Sequence, residues 1–98
     1  MSTVETIRFK LREGIADEDF LRRNRTVEAE YMAKRPGFKS RQTAVSADGE
    51  YLVQVHWATA EDADATIAAF SGAPETQDFL AAVDVSTVAS GRYQLVDH

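Results

Sequence analysis

Hydrophobic and polar residues alternate along the opening of the chain. Glu5, Ile7, Phe9 and Leu11 fall on one side of the alternation, and Val4, Thr6, Arg8 and Lys10 on the other. A period of two with one polar side predicts a half-buried strand over residues 4–11, ended by Gly14. The period then changes. Asp17 is the expected N-cap of a helix, with Glu18 and Asp19 suited to its first turn. Phe20, Leu21, Val27, Tyr31 and Met32 recur at helical spacing and fill an arc of about 140°, the width of a core-facing stripe. Arg22, Arg23, Arg25 and Lys34 fall largely outside that arc, and Pro36-Gly37 is expected to stop the helix.

Alternation returns after the breaker. Residues 38–46 read as a more polar strand. Lys39 and Arg41 are interleaved in it, as charge is on an edge strand that must resist aggregation. Asp48-Gly49 predicts a hairpin turn. Residues 51–57 form the next strand, with Tyr51, Val53, Val55 and Trp57 on one face and Leu52, Gln54 and His56 on the other. Thr59 is placed to cap a second helix through Ala63, Ile67 and Phe70, and Ser71-Gly72-Ala73 breaks it. Pro74 opens a short continuation through Phe79, Leu80 and Val83. Residues 85–96 complete the pattern as a last strand, irregular near Gly91. The order β-α-β-β-α-β, with short connections and right-handed crossovers, predicts an α+β, ferredoxin-like antiparallel sheet of four strands with both helices on one face.

That arrangement leaves one sheet face bare. It carries Val4, Thr6, Leu52 and Val45 among Arg8, Gln54 and His56, too apolar for an ordinary wet surface. A second copy would cover it, so a homodimer is expected; a monomer with one solvated face is the plainer alternative.

Length and composition narrow the functional classes. The 98 residues make one domain, 1–98, with no repeat, linker or low-complexity tract. A net charge of −5 would repel nucleic acid and anionic lipid, so neither is an expected partner. No apolar run reaches the ~20 residues of a membrane span, and the start lacks the order of a signal peptide, so a cytoplasmic location is expected. The absence of cysteine removes disulfides, thiolate metal sites and cysteine nucleophiles. The chain has no G-x-S-x-G, no phosphate-binding glycine loop and no G-x-G-x-x-G, which argues against hydrolase triads and nucleotide cofactors.

The order of elements, the Arg35-Pro36-Gly37-Phe38 junction, the strand Tyr51-Leu52-Val53-Gln54-Val55-His56-Trp57 and the following Ala58-Thr59-Ala60-Glu61-Asp62-Ala63 together resemble the antibiotic biosynthesis monooxygenase-like family of dimeric α+β barrels. The resemblance covers nearly the whole chain. It implies two chains pairing their sheets, with a small cavity between sheet and helices in each. Members include cofactor-free oxygenases of phenolic polyketides, quinol oxygenases, haem-degrading enzymes and proteins without known activity. The haem-degrading pattern is missing: the first strand has no Asn, the second helix has no Trp, and Glu75-Thr76-Gln77-Asp78 has no His.

Candidate chemistry centres on a few side chains. Asn24 and Glu28 lie one turn apart inside the core-facing arc of the first helix. A carboxylate buried there would be a stronger base than usual, able to deprotonate a phenol or enol; the alternative is a structural pairing with arginine or backbone. His56, the one internal histidine, is a second candidate base, although its strand face points to the expected dimer side. Tyr31 and Trp57 are either core or cavity lining, with Asn24, as donors to a developing oxyanion. Arg8 and Arg92 offer anion-binding groups, though strand arginines are more often solvated or paired. No metal-ligand cluster is visible. The expectation is therefore a cofactor-free monooxygenase-like protein using Glu28 or His56 on a small aromatic molecule, with no metal or cofactor. The alternative is a non-catalytic dimer that binds a small metabolite or serves as a stress or accessory protein.

Overall fold

The structure is a computed structural model that describes residues 2–97. Strand β1 runs Thr3–Leu11, helix α1 Asp17–Glu30, β2 Phe38–Val45, β3 Tyr51–Trp57, α2 Ala60–Phe70, α3 Gln77–Ala82 and β4 Val83–Gln94. The strands form one antiparallel sheet in the order β2-β3-β1-β4, the ferredoxin-like arrangement, with β2 and β4 at the edges.

The alternation in β1 and β3 sets which side is covered. Thr3, Glu5 and Phe9 on β1, and Tyr51, Val53, Val55 and Trp57 on β3, are buried under the helices. Helix α1 adds Phe20, Asn24 and Val27 at spacings of one turn, so they share its inner face. An aromatic cluster joins the layers, with Phe20 and Tyr51 centroids 4.5 Å apart and Phe9 5.8 Å from Phe79. On the bare face, Val4, Thr6, Leu52, Gln54 and His56 are half-buried, and Tyr93 is 61% exposed.

Several local expectations change. Ala16, not Asp17, stands at the N-cap of α1 and offers no side-chain cap. Asp17 instead accepts a hydrogen bond from the Tyr51 hydroxyl at 2.6 Å. α1 ends at Glu30, before Pro36-Gly37, and a 3-10 turn over Met32–Lys34 bridges to the breaker. Gly37 has φ +79°, and a Cβ there would sit 2.0 Å from the Asp62 carboxylate, so only glycine fits. Thr59 caps α2 as its position implies, accepting from the Asp62 N–H at 3.1 Å.

The last strand begins at Val83, and its irregularity falls opposite Arg8 to Lys10 rather than at Gly91. Gly91 pairs regularly with Thr6; a Cβ there would meet Thr6 Oγ1 at 2.7 Å and the Tyr93 ring at 2.9 Å. Val45 pairs with Tyr51 and so shares the helix side, not the bare face. Arg41 is the larger surprise. It lies on an edge strand, yet its side chain is only 3% exposed, turned beneath the helices.

Candidate functional site

A cavity of about 510 Å³ opens between the covered sheet face and helices α2 and α3. Phe9, Val53 and Val55 form its floor, with Phe70, Phe79 and Leu80 above. Ile67, Val85 and Val88 stand exposed at its rim. The volume suits a small organic ligand, and the walls are mostly apolar with a few charged groups, as such sites usually are.

Those charged groups lie in one row. Arg41 on β2 pairs with Val55 on β3, Val55 with Glu5 on β1, and Glu5 with Arg92 on β4. All of them line the cavity. Residues paired across strands share a face, so the sheet itself spaces the charges, Arg41 and Glu5 lying two strand spacings or roughly 10 Å apart at the backbone.

At one end, Glu5 is 5% exposed in an apolar setting. Burial pushes its carboxyl above the ordinary 4.5, opposed by the Arg92 cation and the Trp57 indole N–H, while Asp64 adds to the rise. Arg92 Nη2 stands 3.8 Å from Glu5 Oε2, and its Nη1 donates to Asp64 Oδ1 at 2.7 Å. The Trp57 Nε1 is fully buried without a well-formed hydrogen bond, as is the Tyr31 hydroxyl.

At the other end, the buried Arg41 donates through Nη2 to Asn24 Oδ1 at 2.7 Å and through Nη1 to Glu28 Oε1 at 3.4 Å. Asn24 Nδ2 in turn donates to Thr43 Oγ1 at 3.0 Å. The guanidinium carbon lies 5.8 Å from the Phe79 ring centre. Burial lowers the Arg41 pKa, and Glu28 opposes that change.

The side chains singled out from the sequence thus fall in different places. Asn24 and Glu28 meet at Arg41, but neither lines the cavity, and Glu28 remains 44% exposed. Tyr31 packs in the core against Phe70, at 5.6 Å between centroids, with the Arg35 guanidinium 5.2 Å from its ring. Trp57 packs against Phe38 beside Glu5. His56 pairs with Val4 and Ser40 on the bare face, away from the cavity. The ionisable groups at the cavity itself are Glu5, Arg41 and Arg92. The signal for Glu5 was the acidic residue among Ile7, Phe9 and Leu11. Nothing in the sequence distinguished Arg41 from Lys39. Among the described residues no cluster of three or more acidic or histidine side chains is arranged for a metal, and no helix is long and apolar enough to cross a membrane.

Among solved structures, the chain is similar to the N63A mutant of SnoaB, a cofactor-independent oxygenase from Streptomyces nogalater, with a TM-score of 0.78 and 17% identity over 99% of this chain and 95% of that one. It is also similar to a proposed antibiotic biosynthesis monooxygenase from Chloroflexus aurantiacus J-10-fl, with a TM-score of 0.65 and 17% identity over 100% and 96%. A dimeric protein of unknown function and ferredoxin-like fold from Bacteroides fragilis matches with a TM-score of 0.64 and 12% identity over 96% of each chain. No protein-family model matches the chain, and no curated protein matches it by sequence. Such low identities speak to the fold. The chain has a ferredoxin-like α+β fold, and within that class it takes the form seen in antibiotic biosynthesis monooxygenase-like proteins.

Proposed function

We propose that this protein is a cofactor-independent monooxygenase acting on a small phenolic or quinol-type substrate, and that it works as a homodimer. The observation that carries the reading is a buried carboxylate, Glu5, in the wall of an otherwise apolar cavity. Its raised pKa makes it a stronger base than a solvated carboxylate, suited to an acidic C–H or O–H. Glu5 takes the proton, and the electron-rich carbanion passes one electron to O₂. The substrate radical and superoxide combine into a peroxide. Loss of the remaining hydrogen on that carbon breaks the O–O bond, leaving a carbonyl on the substrate and, with the returned proton, one molecule of water.

Trp57 stands behind the wall in this reading: its buried N–H lies beside Glu5 and favours the ionised carboxylate rather than meeting the substrate. Tyr31 and Asn24 support the wall from behind, and Glu28 acts on the cavity only through Arg41. His56 belongs to the proposed dimer contact, where a second copy covers Val4, Thr6, Leu52 and Tyr93. The dimeric description of the Bacteroides fragilis protein supports that contact.

Oxygen uptake with a panel of hydroquinones and anthrones tests the reading. Glu5→Gln is expected to lose about a hundredfold or more of the rate, the usual contribution of a general base. Glu28→Gln should retain most of it. Equal rates for wild type and Glu5→Gln, or no uptake with any substrate, would overturn the reading. The second reading, a binding protein without chemistry, is favoured by one observation: Arg92 already engages Glu5.

A further inference from the structure

We infer that Arg41 is the anion-recognition point of the cavity, and that the ligand is a flat apolar molecule bearing a single carboxylate. The inference deepens the proposed function, and rests on its reading of the cavity as a ligand site. A guanidinium taken out of water costs several kcal/mol unless well-placed anions and acceptors replace its hydration. The Arg41 side chain is only 3% exposed, but its compensation is partial. Asn24 supplies a neutral oxygen. Glu28 supplies a charge at 3.4 Å from a carboxylate that is itself 44% exposed and therefore screened. Asn24 and Glu28 take one N–H each of the five that a guanidinium carries. The side chain borders the cavity beside Phe79, Val53 and Met32, which offer apolar surface and no counter-charge.

The chemistry of the ligand follows from the rest of the row. A carboxylate matches the planar fork of a guanidinium. Glu28 already neutralises part of the Arg41 charge, so a dianion such as phosphate would be poorly compensated. Glu5, roughly 10 Å along the row, repels a second anion and orients the ligand with its acid group at the Arg41 end. Arg92 is the weaker anchor, because Glu5 and Asp64 already engage it. A bicyclic or tricyclic ring system fits within a cavity of about 510 Å³.

Equilibrium binding of 2-naphthoate and of its neutral analogue 2-naphthamide, followed by calorimetry, tests the assignment. Wild type should bind the acid roughly tenfold tighter or more, the size of one hydrogen bond to a charged group. Arg41→Gln should bind acid and amide alike. Glu28→Gln, outside the cavity wall, should tighten naphthoate several-fold and leave naphthamide unchanged, because it removes the competing anion. Equal affinity for acid and amide in wild type, no binding of either, a preference that survives Arg41→Gln, or naphthoate binding unimproved by Glu28→Gln would each overturn the assignment. Should Arg41→Gln fail to fold, the wild-type ratio and the Glu28→Gln result decide. Naphthoate lacks the acidic position that the oxygenase step needs, so the readings separate. An acid preference with no oxygen uptake on any quinol sinks the oxygenase alone; uptake without an acid preference sinks the Arg41 assignment alone.

Discussion

The two ends of the charged row are opposites. At the β1–β4 end the carboxylate is buried and the arginine partly exposed: the Glu5 and Arg92 side chains are 7% and 36% accessible. At the β2 end the order reverses, with Arg41 at 3% and Glu28 at 44%. A salt bridge with one partner in water and the other out of it leaves the buried ion under-compensated, and the consequence depends on which ion that is. A buried carboxylate responds by holding its proton more tightly, which makes it a base. A buried guanidinium stays charged, and is stabilised by any anion that can reach it. The same kind of ion pair, with its buried and exposed partners exchanged, therefore underlies both the proposed proton acceptor at Glu5 and the proposed anion seat at Arg41.

The largest test strikes one end and spares the other. Phe79 lies against Arg41, Phe9 and Phe20. Phe79→Ala should cost about 3–5 kcal/mol in urea unfolding, as large-to-small aromatic changes in cores do. A cost near zero would mean that the Arg41 end is not part of the packed core. Next come the arginines. Arg92→Met strips the counter-charge from a buried carboxylate, and should destabilise at neutral pH by about 1–2 kcal/mol, discounted from the value for a fully buried pair because Arg92 is partly exposed. Arg41→Met removes the buried charge itself and should cost less. Equal losses in both variants would erase the asymmetry.

The fold was legible where periodicity is strong. β3 is found at residues 51–57 as its alternation predicts, and Thr59 caps α2. Element ends were less so, because tertiary partners compete for the same groups: Tyr51 takes the Asp17 carboxylate, and Asp62 fills the space at Gly37. The charged row was the least legible. It is a property of register across strands that are distant in sequence, and no local pattern contains it. Glu5 was visible as an acid on an apolar face. Arg41 read as an edge-strand charge, and only the placement of α1, through Asn24 and Glu28, shows why it turns inward.

A neutral group extends the comparison at a smaller scale. Tyr51 is buried, and burial, followed by its hydrogen bond to Asp17, pushes its phenol up to about 12. The protonated form is the one favoured by folding, so its contribution is complete below the ordinary 10 and disappears as pH rises through about 12. Tyr51→Phe should cost about 1 kcal/mol at neutral pH, the net worth of one hydrogen bond. Alkaline absorbance titration should show one tyrosine ionising late in wild type and not in the variant.

The smallest effect is the most diagnostic of the Glu5 end. Because its folded pKa is raised, the native state binds the Glu5 proton more tightly than the unfolded chain does. Stability from this group is therefore fully present below the ordinary 4.5 and is lost as pH rises through the raised value. Glu5→Gln keeps the shape but cannot ionise, so it should gain in Tm relative to wild type as pH is raised, with Arg92 limiting the gain. Thermal unfolding of both proteins between pH 4 and pH 8 reads that difference directly. A Tm difference that moves the other way, with wild type gaining on the variant as pH rises, would mean that Arg92 more than offsets burial, and that the carboxylate is an ordinary ion-pair member rather than a base held in reserve.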